Sequence, residues 1–229
     1  MEISIIIPTF NEEGFILPTL KKIIENSSSK IKEIIISDGG STDRTRKLVR
    51  EFEMAKLVES PQKGRAAQMN YGASFAKGSI LFFLHADTVP PIHFDKKIIS
   101  EVEKGIDAGC FQLSFDWNHP FLKFYSWCTK FNVDAFRFGD QGLFISREIF
   151  QEIGGFHADY FLMEDHEIVR RIKKEYSFKI MAQKVITSAR KYKKNGVVKL
   201  QLIFTLIYVF YHLKIPQEVL KNLYKELIK

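Results

Sequence analysis

The sequence predicts an α/β fold: a mostly parallel central sheet flanked by helices, with apolar helices at the C-terminus. Three observations carry this expectation. Apolar runs alternate with amphipathic stretches through the first hundred residues, the pattern of βαβ units. The runs are nearly unbroken rather than alternating, as strands buried on both faces require. A chain of 229 residues, 45% hydrophobic, fills one large α/β domain or a domain with an appendage.

The elements follow in order. "ISIIIP", "IKEIIIS", "AKLVES" and "SILFFL" read as strands, and helical spacing covers about residues 14–26, 42–54 and 64–77. Ser41 and Asp43 supply N-terminal helix chemistry for the second of these helices. Beyond residue 100 the pattern loosens. "DAGCFQLSF" reads as a strand, followed by the aromatic "PFLKFYSWCTKF" and the glycine-flanked "RFGDQGLFIS". "EIGGFHADYFLMEDHEIVRRIKK" reads as a loop entering a helix. "YSFKIMA" reads as a strand, and a basic "RKYKKNG" and two apolar helices close the chain.

In open α/β sheets ligands bind beyond the carboxyl ends of the strands. Here those ends are polar: "PTFNEEG" after the first strand, "SDGGSTD" after the second, "HADT" after the fourth. His85 and Asp87 are two residues apart, so on an extended chain they point the same way. Pro90 and Pro91 stop any continuation. Neither a G-x-G-x-x-G nor a G-x-x-x-x-G-K-[ST] is present, which removes the usual dinucleotide and P-loop signals.

The net charge of +7 is unevenly placed. From Lys184 onward ten Lys or Arg face two Asp or Glu, while the first 183 residues carry 24 basic against 25 acidic groups. This argues against a nucleic-acid-binding core and for a local anionic contact of the tail. Cys110 and Cys128 sit in apolar surroundings and are expected as buried free thiols of a reducing cytoplasm. No signal-peptide pattern precedes the first strand, so a cytoplasmic location is expected.

"SIIIPTFNEEGFILPTL", "ISDGGSTDRT", "GRAAQMNYGASFAKGSILFFLHADT", "GGF" and "EDHEIVRRI" occur in this order. Together they resemble the family-2 glycosyltransferases, inverting enzymes of the GT-A fold that use nucleotide-sugar donors. The resemblance covers about residues 3–175. The "HADT" form and short length look closest to a small bacterial subgroup associated with radical-SAM or selenoprotein-type genes. By this resemblance Pro8, Thr9, Asn11, Glu12, Asp38, Arg65, Ala86 and Asp87 belong to the nucleotide site, with Asp38 reading the uracil imide. It also implies Mn²⁺ or Mg²⁺ held by Asp87, with His85 standing where the common D-x-D motif has its first aspartate. Oxygen ligands suit either ion. Gly39 replaces a second acidic residue often found there. An ordinary Asp-Gly turn is the plain alternative for Asp38, and a solvated helix start for Arg65.

An inverting transfer needs one carboxylate to take the acceptor hydroxyl proton. The family's E-D motif assigns this to Asp165. Neighbouring helix residues diverge by about 100°, so Glu164 is not expected to share that task and falls, with Asp140 and Gln141, on the acceptor side. The Q-x-x-R-W motif of processive synthases is missing, and both tryptophans precede the acidic motif, so a single-sugar transfer is expected. Two other classes stay open: a sugar-phosphate nucleotidyltransferase, whose glycine-rich first loop is missing, and an inactive nucleotide-binding relative.

The expected division is a GT-A domain over residues 1–183 and a basic, apolar helical extension over 184–229. The apolar stretch Val197–Leu213 gives about 25 Å of helix, short of the ~30 Å bilayer core. It requires burial against the body, against a second subunit, or on a membrane surface with "RKYKK" meeting anionic headgroups. The last would suit a lipid-linked acceptor at the inner membrane face.

Overall fold

The computed structural model describes residues 1–137 and 139–228. Its centre is one eight-stranded sheet of order β3-β2-β1-β4-β7-β6-β8-β5. β1 (Ile3–Thr9), β2 (Ile31–Asp38), β3 (Ala55–Glu59) and β4 (Ile80–Phe83) are the four predicted strands, mutually parallel wherever they pair. All seven residues of β1 are buried, as a central strand covered on both faces demands. α1 (Ile16–Asn26), α2 (Thr45–Arg50) and α3 (Arg65–Ser74) are the crossover helices, and α1 buries Ile16, Leu20 and Ile23 at helical spacing.

α2 is much shorter than its predicted span because its leading residues serve the β2 loop instead. Asp43 Oδ1 accepts from the Thr45 amide (2.9 Å), while Ser41 turns toward Asp38. α4 (Phe94–Glu103), where the sequence reading names no element, buries Phe94, Ile98 and Ile99 under the sheet.

The sheet is more mixed than expected. β7 (Leu143–Ser146) runs antiparallel between β4 and β6 (Ala108–Phe115), and the short β5 (Thr88–Val89) is antiparallel to β8 (Phe178–Thr187). "GLFIS" is too brief to be read as a strand alone; it forms one because β4 and β6 both offer it hydrogen bonds. α5 (Pro120–Cys128), α6 (Arg147–Glu152) and α7 (Glu164–Glu175) complete the body. Cys110 and Cys128 are buried free thiols.

The expected boundary at residue 183 falls inside β8, so the sheet continues through Thr187. Thereafter come α8 (Arg190–Asn195), α9 (Val197–His212) and α10 (Gln217–Leu227). They are not a separate unit. Val197 and Leu200 pack with Leu122 and Tyr192, while Ile203, Ile207 and Leu220 pack with Leu162 of the body. α9 nonetheless keeps an apolar stripe in solvent: Val198 (70%), Leu202 (65%), Leu206 (37%), Val209 (44%) and Leu213 (66%). Among the described residues no helix is long and apolar enough to cross a membrane.

Candidate functional site at the strand tips

The tips of β1 and β2 are stitched into one unit. Asp38 is fully buried, and four donors fill its carboxylate. Thr9 Oγ1 (3.2 Å) and the Ser41 hydroxyl bond Oδ1, while the amides of Gly40 (2.9 Å) and Ser41 (2.8 Å) bond Oδ2. A carboxylate offers about four lone-pair sites, so none is left over. As placed, Asp38 holds the loop, and a uracil imide would have to displace a hydroxyl to reach it. Gly39 has its own reason. A Cβ there would lie 2.8 Å from the Gln68 carboxamide, which donates to the carbonyls of Thr9 (2.7 Å) and Ser37 (2.8 Å).

Asn11 likewise builds the loop, its side-chain oxygen accepting from the Thr42 amide (2.8 Å). Its own amide donates to Ser41 Oγ (2.9 Å). Pro8 and Ala86 are buried and bring only backbone to the site.

Glu12 and Asp87, from the tips of β1 and β4, converge on one cation. Arg190 Nη2 lies 2.6 Å from Glu12 Oε1 and 3.1 Å from Asp87 Oδ2. The guanidinium stacks over Phe15, 4.3 Å from the ring centroid. By the sequence alone Arg190 belongs to the basic segment that would meet anionic lipid headgroups. It lies in this cleft because β8 delivers the chain there, with the Ser188 amide donating to the Asp87 carbonyl (3.1 Å). Burial opposes its charge, but the bond to Glu12 and the charge of Asp87 outweigh burial and raise its pKa.

The remaining site groups form two further ion pairs. His85 Nδ1 sits 2.7 Å from Asp140 Oδ1, and its buried Nε2 has no partner. Burial alone would lower the His85 pKa; the bond and charge of Asp140 reverse this and raise it. Burial alone would raise Asp140; His85, Lys191 and Arg65 reverse that and hold it well below the usual carboxylate range.

Arg65 Nε approaches Glu164 Oε1 to 2.7 Å, close but not aligned as a hydrogen bond. Glu164 is fully buried, and burial pushes its carboxyl up to about 7 against the pull of Arg65. Asp165, beside it in the first turn of α7, is half-buried, and its negative charge acts on Arg65, His85 and Glu164 alike. Glu167, the third acid of that turn, is instead engaged by Arg171 (2.6 and 2.8 Å).

Gln141 is buried, accepts from Arg137 Nη1 (3.0 Å) and donates to the Phe136 carbonyl (2.9 Å), so it holds the loop.

These side chains, as arranged, do not gather around a divalent cation. Asp87 is paired with Arg190 and His85 with Asp140, and no three His, Cys, Asp or Glu groups converge among the described residues. The expected metal ligands therefore do not fit the ion in this arrangement, and no step below is routed through one. Arg190 and Phe15 are the site residues that sequence reading missed. Phe15 lies within the first quoted motif but carries no polar chemistry that would single it out, and only the local surplus of positive charge pointed toward Arg190.

Residues 4–165 match the family model described as "Glycosyl transferase family 2". A relative in Haloferax volcanii, "Glycosyltransferase AglE", is 32% identical over 112 residues, covering 46% of this chain and 37% of that protein. A Methanococcus voltae relative is named a dolichyl N-acetyl-alpha-D-glucosaminyl phosphate 3-beta-D-2,3-diacetamido-2,3-dideoxy-beta-D-glucuronosyltransferase. It is 33% identical over 109 residues, covering 44% of this chain and 34% of that protein. The chain thus spans about a third of the length of these curated relatives.

In solved structures, S. aureus TarS 1–349 in complex with UDP superposes with TM-score 0.67 at 15% identity, over 82% of this chain and 60% of that one. That likeness shows the GT-A-like fold. The family match covers well over half of the chain. This chain belongs to glycosyl transferase family 2.

Proposed function

We propose that this chain transfers one sugar from a nucleotide-diphosphate sugar, of UDP type, to an acceptor hydroxyl with inversion. The observation that carries the reading is the gathering of Glu12, Asp87, Asp140 and Arg65 with Glu164 and Asp165 of α7 near the carboxyl ends of the strands, joined by ion pairs and by mutual charge effects. Asp165 is the base. It is half-buried and open to a substrate, whereas Glu164 is sealed and spoken for by Arg65.

In the reaction the acceptor oxygen attacks the anomeric carbon from the face opposite the nucleotide, and its proton passes to the Asp165 carboxylate. The bond from that carbon to the β-phosphate oxygen breaks, and the nucleoside diphosphate leaves with the electron pair. The bound UDP of the TarS structure supports the donor class, and the dolichyl-phosphate name of the archaeal relative supports a lipid-linked acceptor. Membrane-face attachment is supported by the exposed apolar stripe of α9 beside Lys194 and Lys199. The "HADT" motif supports the radical-SAM-associated subgroup.

A thermal-shift panel tests the donor: UDP is expected to raise the midpoint more than ADP or CDP. Equal shifts for all three would remove the UDP assignment. Asp165→Asn is expected to keep UDP binding and to lower turnover about 10²- to 10⁴-fold. Retained turnover would remove Asp165 from the reaction.

A further inference from the structure

The loop that presents Asp165 is fastened to the C-terminal helices. Gln217 is the first residue of α10, and its side-chain Oε1 accepts from the amides of both Phe161 (3.2 Å) and Leu162 (3.2 Å). Pro216 stands directly before it, and its fixed φ sets the helix start at Gln217. Leu162 is buried among Ile203, Ile207 and Leu220 of α9 and α10. The Lys221 ammonium lies over the Phe161 ring, 5.1 Å from its centroid.

Met163, between this fastened pair and α7, has a left-handed backbone (φ 66°). A residue with a side chain seldom adopts that conformation, and it persists where the surroundings fix it. The Met163 carbonyl accepts from the Glu167 amide (2.9 Å), so the turn leads straight into α7, which Glu164 and Asp165 open. Among the described residues the Asp165 carboxylate has no hydrogen bond or ion pair of its own, so its place is set by this backbone. The direction of Asp165 follows from the Met163 turn, and Gln217 holds the leading side of that turn.

We infer that Gln217 is a positioning residue for the transfer: by holding the amides of Phe161 and Leu162 it fixes the turn that aims Asp165. The C-terminal helices are then part of the working assembly as well as its possible anchor to a membrane. This rests on Asp165 being the base, as proposed above. The plain alternative is a packing role, in which Gln217 only fastens α10 to the body.

Two substitutions separate these. Gln217→Met keeps the length of the side chain and removes the acceptor, whereas Gln217→Glu keeps an acceptor oxygen for both amides. UDP release from UDP-glucose and from UDP-N-acetylglucosamine, with water standing for the acceptor hydroxyl, is measured for wild type, both variants and Asp165→Asn. A shift of about 1 Å at a reacting group costs up to about 10²-fold, so Gln217→Met is expected to lower kcat at least about tenfold. Its donor KM and its UDP affinity are expected to stay within about twofold, because no donor contact is touched. Gln217→Glu is expected to recover kcat to within about threefold of wild type.

A second measurement needs no turnover. Glu164 shares the turn and is fully buried, with its carboxyl pushed up to about 7. Followed by carboxyl-carbon NMR, it is expected to titrate at about 7 in wild type and in Gln217→Glu. In Gln217→Met it is expected to fall toward the ordinary glutamate range, as the loosened turn admits water.

Wild-type kcat in Gln217→Met overturns the inference. A parallel loss of kcat and UDP affinity also overturns it, because that is what general loosening produces. So does a Gln217→Glu protein as slow as Gln217→Met, since the acceptor oxygen is then not what matters. Where wild type turns over neither donor, the Glu164 titration decides, and one midpoint shared by all three proteins overturns the inference. Wild-type turnover in Asp165→Asn removes the base reading itself and this inference with it, while the Glu164 titration still tells whether Gln217 holds the turn. If Gln217→Met does not fold, Gln217→Asn, one methylene too short to reach both amides, takes its place under the same criteria.

Discussion

His85 Nδ1 and Asp140 Oδ1 are 2.7 Å apart, joining the tip of β4 to the loop before β7. Each holds the other in its charged form against the cost of burial. The sign of the pH dependence follows. A raised histidine pKa contributes stability fully present below about 6.5 and lost as pH rises through the folded value. A depressed aspartate contributes stability present above about 3.9 and lost as pH falls. The midpoint difference between wild type and Asp140→Asn is therefore expected to be largest between about pH 4 and 6.5 and to shrink as pH rises through the raised histidine pKa. A difference that is flat from pH 5 to 8 would show that the pair is not ionic.

Glu164 behaves in the opposite sense. Its carboxyl is raised to about 7, so the folded state binds the proton more tightly than the unfolded chain does. Stability is then expected to fall as pH rises from about 4.5 to 7, by up to about 1.4 kcal/mol per unit of difference. Glu164→Gln is expected to flatten that slope and to raise the midpoint at pH 8 more than at pH 5. Melting curves of both proteins across this range provide the check, and unchanged slopes would contradict the assignment.

Arg190 also bears on metal binding. While its guanidinium sits against Glu12 and Asp87, a divalent ion meets an already neutralised carboxylate pair. Removing the guanidinium leaves two carboxylates facing each other, which favours a hard cation. Without nucleotide, Mn²⁺ is expected to raise the melting midpoint of Arg190→Gln more than that of wild type. An equal response in the two proteins would mean that Arg190 does not guard these oxygens.

The α9 stripe makes a separate prediction. Wild type is expected to sediment with anionic liposomes at low salt and to be released as salt rises. Arg190 is not among the lipid-facing charges, because it is spent in the cleft. Lys193→Gln with Lys194→Gln and Lys199→Gln is expected to weaken sedimentation while leaving UDP binding unchanged. Val198→Glu with Leu202→Glu should do the same, since both side chains stand in solvent and their loss opens no cavity. A wild-type protein that ignores liposomes but runs as a dimer split by the glutamates would assign the stripe to a second subunit.

The positions of the first four strands along the chain, their parallel character and the polar character of their tips were readable from the residues alone. Continuous apolar runs such as "ISIIIP" and "SILFFL" can only be satisfied by burial on both faces, and such burial fixes the βαβ handiwork around them. His85, Asp87 and Asp165 were likewise legible, because chemistry that follows directly on a buried strand or opens a helix is a local signal. What each polar residue does there was not. That Asp38 and Gln141 brace loops was not legible, because the donors that bond them come from backbone amides and side chains whose approach depends on turn geometry.

Arg190 looked like a surface charge and became a site residue, because β8 returns it to Glu12 across 178 positions of chain. Hydrophobic periodicity is a short-range property and specifies elements. Which cation meets which carboxylate is settled only when strands distant in sequence are brought to the same edge, and there the tertiary structure alone decides.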